Sequence, residues 1–232
     1  MADALSLTWQ PSLFGFDETP GLDASFRTLE HIQLDASAWV EHAPGWLSGS
    51  DRVFELILEG REWQQRSRQM YDRRVREPRL TAPWALDSGE PLVPPILEDV
   101  RLALSERYGR VFDSVGFNLY RDGDDSVAWH GDRIPTDIRD PVVVLVSLGE
   151  PRKFLLRPKG GGSSKAFVLG RGDLLVTGGT TQRTWEHSVP KVAQAGPRIS
   201  VAYRHGVGPA GYADKRVEPP DDEGPEIVPD DP

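Results

Sequence analysis

A chain of 232 residues is long enough to bury one substantial core, and we predict one structural domain. It contains no cysteine, which excludes disulfides and zinc–thiolate sites and is typical of a reducing compartment. The first residues lack a basic, apolar leader, and no later stretch reaches the roughly 20 apolar residues of a membrane span. We therefore expect a monomeric, cytoplasmic protein without membrane contacts.

The net charge of −9 argues at first against a nucleic-acid partner, because affinity for phosphates comes largely from Lys and Arg. The charge is unevenly distributed. Residues 211–232 hold eight acidic and two basic side chains and carry −6, whereas residues 61–79 hold seven arginines. The arginine-rich segment is either a solvated charged face or a basic stripe for phosphates, and composition alone favours the solvated face.

Hydrophobic periodicity predicts three helices in the first half of the chain, at residues 36–42, 51–58 and 94–108. Ser50 or Asp51 is the predicted N-cap of the second helix, and Gly109 is the predicted stop of the third. Residues 63–79 fit either an arginine-rich helix or a pair of extended segments. Residues 79–84 are predicted to form a loop that presents an aromatic side chain beside a cation.

From Val111 onward the pattern changes to short strands separated by Gly, Asp and Pro turns. Eight strands are predicted, at residues 115–120, 127–130, 142–148, 153–157, 165–169, 173–177, 184–188 and 198–204. This number of short strands indicates a jelly roll, or double-stranded β-helix. The predicted fold class is therefore α+β, mainly β, in which N-terminal helices support a jelly-roll core.

A His-x-Asp pair ends the second predicted strand. His130 and Asp132 are two residues apart, so on an extended strand their side chains leave the same face and can converge on one cation. His187 is the best candidate for a third ligand, because two imidazoles and one carboxylate form the facial triad of non-haem Fe(II) oxygenases. The remaining histidines are interpreted as surface or structural residues: His31, His42 and His205.

The last predicted strand alternates, which places Arg198, Ser200, Ala202 and Arg204 on one face. Two arginines on an inward face are costly unless an anion lies between them. Their Cα atoms would lie on the order of 20 Å apart, since a strand rises by about 3.3 Å per residue. The two guanidinium groups could then hold the ends of a short dicarboxylate. Alternatively, this face is exposed and the arginines only increase solubility.

Several motifs, taken in chain order, resemble the AlkB family of Fe(II)/2-oxoglutarate-dependent dioxygenases. The resemblance runs from about residue 78 to residue 204. Its motifs are Asn118-Leu-Tyr120, His130-Gly-Asp132, Ser147-Leu-Gly149 with Arg152 and Phe154, Gly172-Asp-Leu-Leu175, His187-Ser-Val-Pro190, and the strand Arg198 to Arg204. It implies that the His, Asp and His side chains named above ligate Fe(II), with 2-oxoglutarate and O2 as co-substrates.

The resemblance also implies a set of residues that bind 2-oxoglutarate. Asn118 and Tyr120 match residues that hydrogen-bond the co-substrate. Arg198 would pair with its distal carboxylate, and Arg204 would lie near the end that chelates iron. Ser200 stands where well-known members carry an asparagine, and we retain it as a co-substrate contact.

The activity implied is oxidative demethylation of N-alkylated bases in DNA, with RNA as the second candidate polymer, releasing formaldehyde, succinate and CO2. Trp84 aligns with the family's base-stacking aromatic and fits a core or lid-packing tryptophan equally well, with Arg79 beside it. Arg157 is a further candidate for the pocket. Ile134 replaces the acidic residue that faces the base in familiar repair members, which leaves the preferred lesion open.

This interpretation divides the domain into four regions. Residues 1–60 would be an extension that packs on the core, and residues 61–110 a nucleotide-recognition lid with its supporting helix. Residues 111–208 would form the catalytic jelly roll, and residues 209–232 a disordered acidic tail. Two other functions fit the same chain: an oxygenase of this fold that acts on a protein side chain or small molecule, and a barrel that only binds.

Overall fold

The computed structural model describes Leu7 and residues 18–70, 73–132 and 134–206, with backbone alone at 68–70 and 73–75. The predicted acidic tail lies outside the described residues. Within these ranges the helices are α1 (Ser50–Gly60), α2 (Ile96–Tyr108) and the single turn α3 (Thr181–Thr184), with a 3-10 turn at Leu86–Ser88. The strands are β1 (Gly21–Leu22), β2 (Glu30–Gln33), β3 (Ala38–Ala43), β4 (Leu47–Ser48), β5 (Ser67–Met70), β6 (Arg73–Arg76), β7 (Leu80–Ala85), β8 (Phe112–Tyr120), β9 (Val127–His130), β10 (Val143–Gly149), β11 (Arg152–Pro158), β12 (Lys165–Leu169), β13 (Asp173–Gly179), β14 (Trp185–Val189) and β15 (Arg198–His205).

Two antiparallel sheets form the centre of the fold. The major sheet has seven strands in the order β2-β3-β13-β10-β15-β8-β7, and the minor sheet has four in the order β12-β11-β14-β9. All eight strands predicted after Val111 are present in these two sheets. The predicted class, a mainly β jelly roll supported by helices, is confirmed.

The two faces of the major sheet bury different sets of side chains. On the inner face, apolar residues such as Val40 and Leu175 join Phe154 and Leu156 of the minor sheet in one buried cluster. The outer face packs against α1 and α2 in a larger buried cluster. Strand β15 shows the division, because Ile199, Val201 and Tyr203 belong to the helix side and the residues between them face the minor sheet.

Two predicted elements near the N-terminus are wrong or need revision. Residues 36–42 were predicted as a helix, but strand β3 occupies most of this stretch and pairs with β2 on one side and β13 on the other. Pairing on both edges outweighs weak local periodicity. Helix α1 is present, but its N-cap is Gly49 in a left-handed conformation (φ 59°), without a side-chain cap from Ser50 or Asp51.

The segment between α1 and α2 is extended. Strands β5 and β6 pair as a hairpin, which is the second of the two structures predicted for residues 63–79. The predicted loop at 79–84 is also wrong, since β7 pairs with β8 along the edge of the major sheet. Helix α2 ends as predicted at Gly109, whose φ of 60° suits a residue without a Cβ.

Candidate functional site

Two histidines and one aspartate meet where β9 ends, beside β14. His130 is the last residue of β9, and His187 lies directly opposite it on β14. Asp132 follows two residues later, and one potential ligand atom from each residue lies within 4.8 Å of the others. The structure thus brings together the three residues that spacing singled out.

Contacts around this group orient its ligand atoms. His130 Nδ1 donates to the carbonyl oxygen of Ala128 at 2.8 Å, which leaves Nε2 as the ring's acceptor nitrogen. The His187 ring stacks on Phe154, with centroids 5.1 Å apart. Arg204 donates from Nε and Nη2 to the two carboxylate oxygens of Asp132, at 3.0 and 3.2 Å. Such a fork fixes the plane of the carboxylate.

Burial and neighbouring charges keep this group ready to bind a cation. Burial alone would raise the pKa of Asp132, but Arg204 and the two imidazoles hold that pKa well below its usual range. Burial lowers the pKa of His187 to about 3, against a smaller opposing effect of the Asp132 carboxylate. At neutral pH the site therefore contains a carboxylate anion and, at His187, a neutral imidazole, which are the ligand forms that a divalent metal requires.

A buried guanidinium lies six residues before Arg204, on the same face of β15 in the major sheet. Arg198 is 1% exposed, and its Nε donates to Ser147 Oγ at 2.9 Å. Its Nη1 and Nη2 are buried and have no hydrogen-bond partner among the described residues. Burial lowers the pKa of Arg198 to about 10, with a smaller opposing effect of Tyr120. Two unpaired donors of this kind fit a carboxylate from outside the protein.

The neighbours of Arg198 are those that the resemblance named. Tyr120 is its direct cross-strand partner, with the guanidinium carbon 5.3 Å from the ring centroid. Asn118 lies two residues back and pairs with Ser200. These side chains share one face of β8 and β15, so the alternative of a solvent-exposed face is wrong. The idea that two arginines hold the two ends of a diacid also needs revision, because the Arg204 fork is bound to Asp132.

The three substrate candidates are placed differently. Trp84 is 7% exposed and lies in the cluster on the helix side of the major sheet, where its Nε1 donates to the Glu90 carbonyl at 2.9 Å. Its base-stacking role is therefore wrong, and the core interpretation holds. Arg157 pairs with Glu186 at 2.6 Å and covers Trp129 at 4.0 Å.

Arg157 lies on the outer face of the minor sheet. Its neighbour Leu156 points inward, to the same buried side as His187. Arg79, by contrast, is near enough for its charge to lower the pKa of His187 slightly, and it forms an ion pair with Glu77 at 3.2 Å. Of the three candidates, Arg79 is the one whose charge acts on a residue of the metal group.

Sequence reasoning missed one polar residue of the site. Gln182, in α3, accepts a hydrogen bond from the backbone N–H of Asp132 at 3.1 Å. In the sequence, the one available signal was its position between the predicted strands at residues 173–177 and 184–188. Among the described residues, no helix combines the length and apolar character needed to cross a membrane.

Comparisons with known proteins agree with this geometry. Residues 52–208 match the model of the 2OG-Fe(II) oxygenase superfamily. Alpha-ketoglutarate-dependent dioxygenase alkB homolog 3 from Bos taurus is 33% identical over 182 residues, covering 69% of this chain and 64% of the relative. DNA oxidative demethylase ALKBH2 from Arabidopsis thaliana is 33% identical over 135 residues, covering 48% of this chain and 43% of the relative.

The match therefore spans less than two thirds of either relative. A solved structure of OsALKBH1 covers 76% of this chain and 100% of its own, with a TM-score of 0.51 and 16% identity, which supports the fold. The superfamily confirms the predicted cofactors, Fe(II), 2-oxoglutarate and O2. The chain belongs to the 2OG-Fe(II) oxygenase superfamily and, within it, to the AlkB family.

Proposed function

We propose that this protein is an Fe(II)- and 2-oxoglutarate-dependent dioxygenase that removes methyl groups from N-alkylated bases in DNA, with RNA as the second candidate polymer. One observation carries the proposal. Arg204 of β15 binds the carboxylate of the His130, Asp132 and His187 group, and the same face of β15 carries the buried guanidinium of Arg198, with two donors that have no partner among the described residues. A metal that chelates one end of a diacid and an arginine that pairs with the other end would satisfy both features.

The donor set fits Fe(II), since two imidazole nitrogens and one carboxylate on one side of the ion leave the remaining positions open. With 2-oxoglutarate and O2, the bound iron supplies the oxidant. One oxygen atom enters succinate as CO2 is lost, and the other enters the N-methyl C–H bond. The resulting N-hydroxymethyl group then separates into formaldehyde and the unmethylated base, which takes up the proton.

In this mechanism the protein's side chains bind and orient the reactants. Arg198 binds the distal carboxylate of 2-oxoglutarate, and Ser147 Oγ holds its Nε so that Nη1 and Nη2 point to the ligand. Asn118 and Ser200 face the same space and offer further polar contacts. Tyr120 covers the guanidinium and limits the access of water.

A second set of contacts orients the proposed metal ligands. Arg204 keeps the carboxylate ionised and oriented, as described above. The His130 bond to Ala128 selects the ring tautomer that presents Nε2. Mutation of a residue that orients a metal ligand in this way typically lowers metal affinity or activity by about 10–100-fold.

The choice of an alkylated nucleic acid is supported by relatives named DNA oxidative demethylase and alkB homolog 3. Arg79, whose charge acts on the pKa of His187, is our candidate to contact a base or its phosphate. The aromatic contact for an extruded base must come from a residue other than Trp84. Ile134 offers no acceptor for an exocyclic amine, so we expect recognition of the base to depend on shape and charge.

We further propose that the chain is one structural domain that acts as a monomer. Strand β3, from the N-terminal region, pairs with β13 in the centre of the major sheet, and β7 pairs with β8. These pairings support a single cooperative unit. The N-terminal 60 residues therefore contribute strands to the sheet as well as a packing surface.

One observation favours a second candidate function. Burial of Trp84 removes the side chain that most directly suggested a stacked base. An oxygenase of the same fold that hydroxylates a protein side chain or a small molecule would not need it. A barrel that only binds is disfavoured, because the metal group and Arg198 are all in place.

The test is anaerobic reconstitution with Fe(II), followed by 2-oxoglutarate, O2 and a panel of N-methylated oligonucleotides. We expect formaldehyde and succinate to be released together with the methylated panel, and no formaldehyde with matched unmethylated strands. Succinate formation that ignores every oligonucleotide would favour the second candidate. The absence of succinate under all conditions would refute both enzymatic functions.

A further inference from the structure

We infer that Gln182 is a positioning residue that holds Asp132 in its ligand geometry by joining the two sheets at the mouth of the site. The inference rests on the proposed function, since it assigns a role toward the proposed metal. Gln182 is 5% exposed and lies in α3, the turn that connects β13 of the major sheet with β14 of the minor sheet.

The hydrogen bonds of Gln182 form a directed chain. The backbone N–H of Asp132 donates to Oε1 at 3.1 Å, and Nε2 donates to Thr177 Oγ1 at 2.8 Å. Thr177 Oγ1 in turn donates to the carbonyl oxygen of Val143 at 3.2 Å. A backbone N–H can only donate and a carbonyl can only accept, so the two ends of the chain fix the orientation of the amide.

This chain links the two sheets. Thr177 and Val143 belong to the central strands β13 and β10 of the major sheet, whereas Asp132 follows β9, the edge strand of the minor sheet. Asp132 lies two residues beyond the end of β9, so hydrogen bonds between strands do not hold its backbone in place. The Gln182 bond supplies that support from the major sheet, through Thr177 and Val143.

Two further contacts show that α3 and the segment after β9 are closely fitted. A Cβ added at Gly131 would lie 3.0 Å from the Gln182 carbonyl oxygen, so a larger residue would push the two segments apart. Arg183 donates to the carbonyl oxygens of Pro135, at 3.0 Å, and Ile138. Residues 182 and 183 therefore hold the segment that carries Asp132 at three points.

The role of Gln182 differs from that of Arg204. Arg204 contacts the carboxylate itself, whereas Gln182 fixes the backbone from which that side chain extends. Without the Oε1 acceptor, the Asp132 N–H would lose its partner and the backbone could turn toward water. The carboxylate would then spend less time facing the two imidazoles, and the metal would bind more weakly.

The test compares variants of the 232-residue chain by titrating Mn(II) into metal-free samples, with calorimetry as the readout. Gln182→Met keeps the volume and removes both bonds, and Gln182→Glu keeps an acceptor for the Asp132 N–H. Thr184→Ala is the matched control, because the Thr184 hydroxyl bonds to Thr180 at the start of the same turn and to no other residue that the structure describes. Urea denaturation of each metal-free protein gives stability separately.

We expect Gln182→Met to weaken Mn(II) binding by about 10–100-fold, Gln182→Glu to restore most of the affinity, and Thr184→Ala to match the wild type. If the methionine variant does not fold, Gln182→Asn, which withdraws the acceptor by one methylene, should show the same loss. Wild-type affinity in Gln182→Met or Gln182→Asn, or an equal loss in Thr184→Ala, would overturn the inference alone. Failure of the wild type to bind Mn(II) would overturn the proposed metal site as well.

Discussion

Replacing Arg198 with methionine should make the metal-free protein more stable and the enzyme less able to use 2-oxoglutarate. The guanidinium is buried, and two of its three nitrogens have no partner among the described residues. Burial lowers its pKa to about 10. This value lies about 2.5 below the ordinary one for a guanidinium, which corresponds to about 3–4 kcal/mol, at about 1.4 kcal/mol for each factor of ten in the acid dissociation constant.

This free energy disfavours the charged, folded form when the ligand is absent. Methionine fills a similar space without a charge, but it loses the bond to Ser147 Oγ, worth about 1 kcal/mol. We therefore expect the free energy of unfolding of the metal-free protein to rise by about 2–3 kcal/mol. Urea denaturation at pH 7 measures this change.

The effect on the co-substrate has the opposite sign. Removing one partner of a buried, hydrogen-bonded charge pair costs about 2–5 kcal/mol. At 1.4 kcal/mol for each factor of ten, the 2-oxoglutarate concentration for half-maximal succinate formation should rise by at least about 30-fold. Saturation curves for succinate formation give this value.

Arg101→Met is the matched control. Arg101 is also buried, but it is paired with Glu98 through Nε at 2.8 Å and Nη2 at 2.5 Å, and it lies on the helix side of the major sheet. Its loss should lower stability and leave the 2-oxoglutarate requirement unchanged. An Arg198→Met enzyme that is less stable than the wild type and has an unchanged requirement would refute the assignment of Arg198.

Asp132→Asn should abolish succinate formation while the circular dichroism spectrum is retained; continued turnover would place the iron elsewhere. His205 Nε2 accepts a hydrogen bond from the Val142 N–H at 3.0 Å, and burial, assisted by Arg110, lowers its pKa. The folded state thus prefers the neutral ring, so stability should decrease as pH falls below about 6.5, the ordinary value for histidine. His205→Phe should make the loss of stability between pH 7 and pH 5, measured by urea denaturation, smaller than in the wild type. Trp84→Ala should lower the free energy of unfolding by about 3–5 kcal/mol, and a variant of wild-type stability that no longer binds oligonucleotides would contradict its place in the core.

The jelly-roll strands could be predicted because their side chains alternate and their ends are marked by Gly, Asp and Pro. The metal group could be predicted because the side chains of a His-x-Asp pair project from the same face of a strand and can bind one cation. Strand β3 could not, because its conformation depends on pairing with β2 and β13, which local periodicity does not contain. The sequence did not decide between a base-stacking and a core role for Trp84. The pairing of β7 with β8 determines which face of the major sheet the indole lies on, and that pairing is not visible in the local sequence.

The support of the site was harder to predict than its ligands. Arg204 was expected near the end of the co-substrate that chelates iron, but its bond to Asp132, 72 residues away in the sequence, was not predicted. Gln182 carries no motif, and its role depends on a backbone N–H at a distance of 50 residues. Hydrogen bonds between distant segments depend on the final packing of the sheets, which a single sequence does not reveal.

The direct pairing of His130 with His187 ties the ion to one alignment of two neighbouring strands. A slip of β9 by a single residue would turn the His130 imidazole to the opposite face, where no second ring could meet it. Because β9 is the last strand of its sheet, β14 alone sets this alignment. The amount of divalent ion bound during refolding would therefore measure the fraction of molecules in which β9 has paired with β14 in its native register.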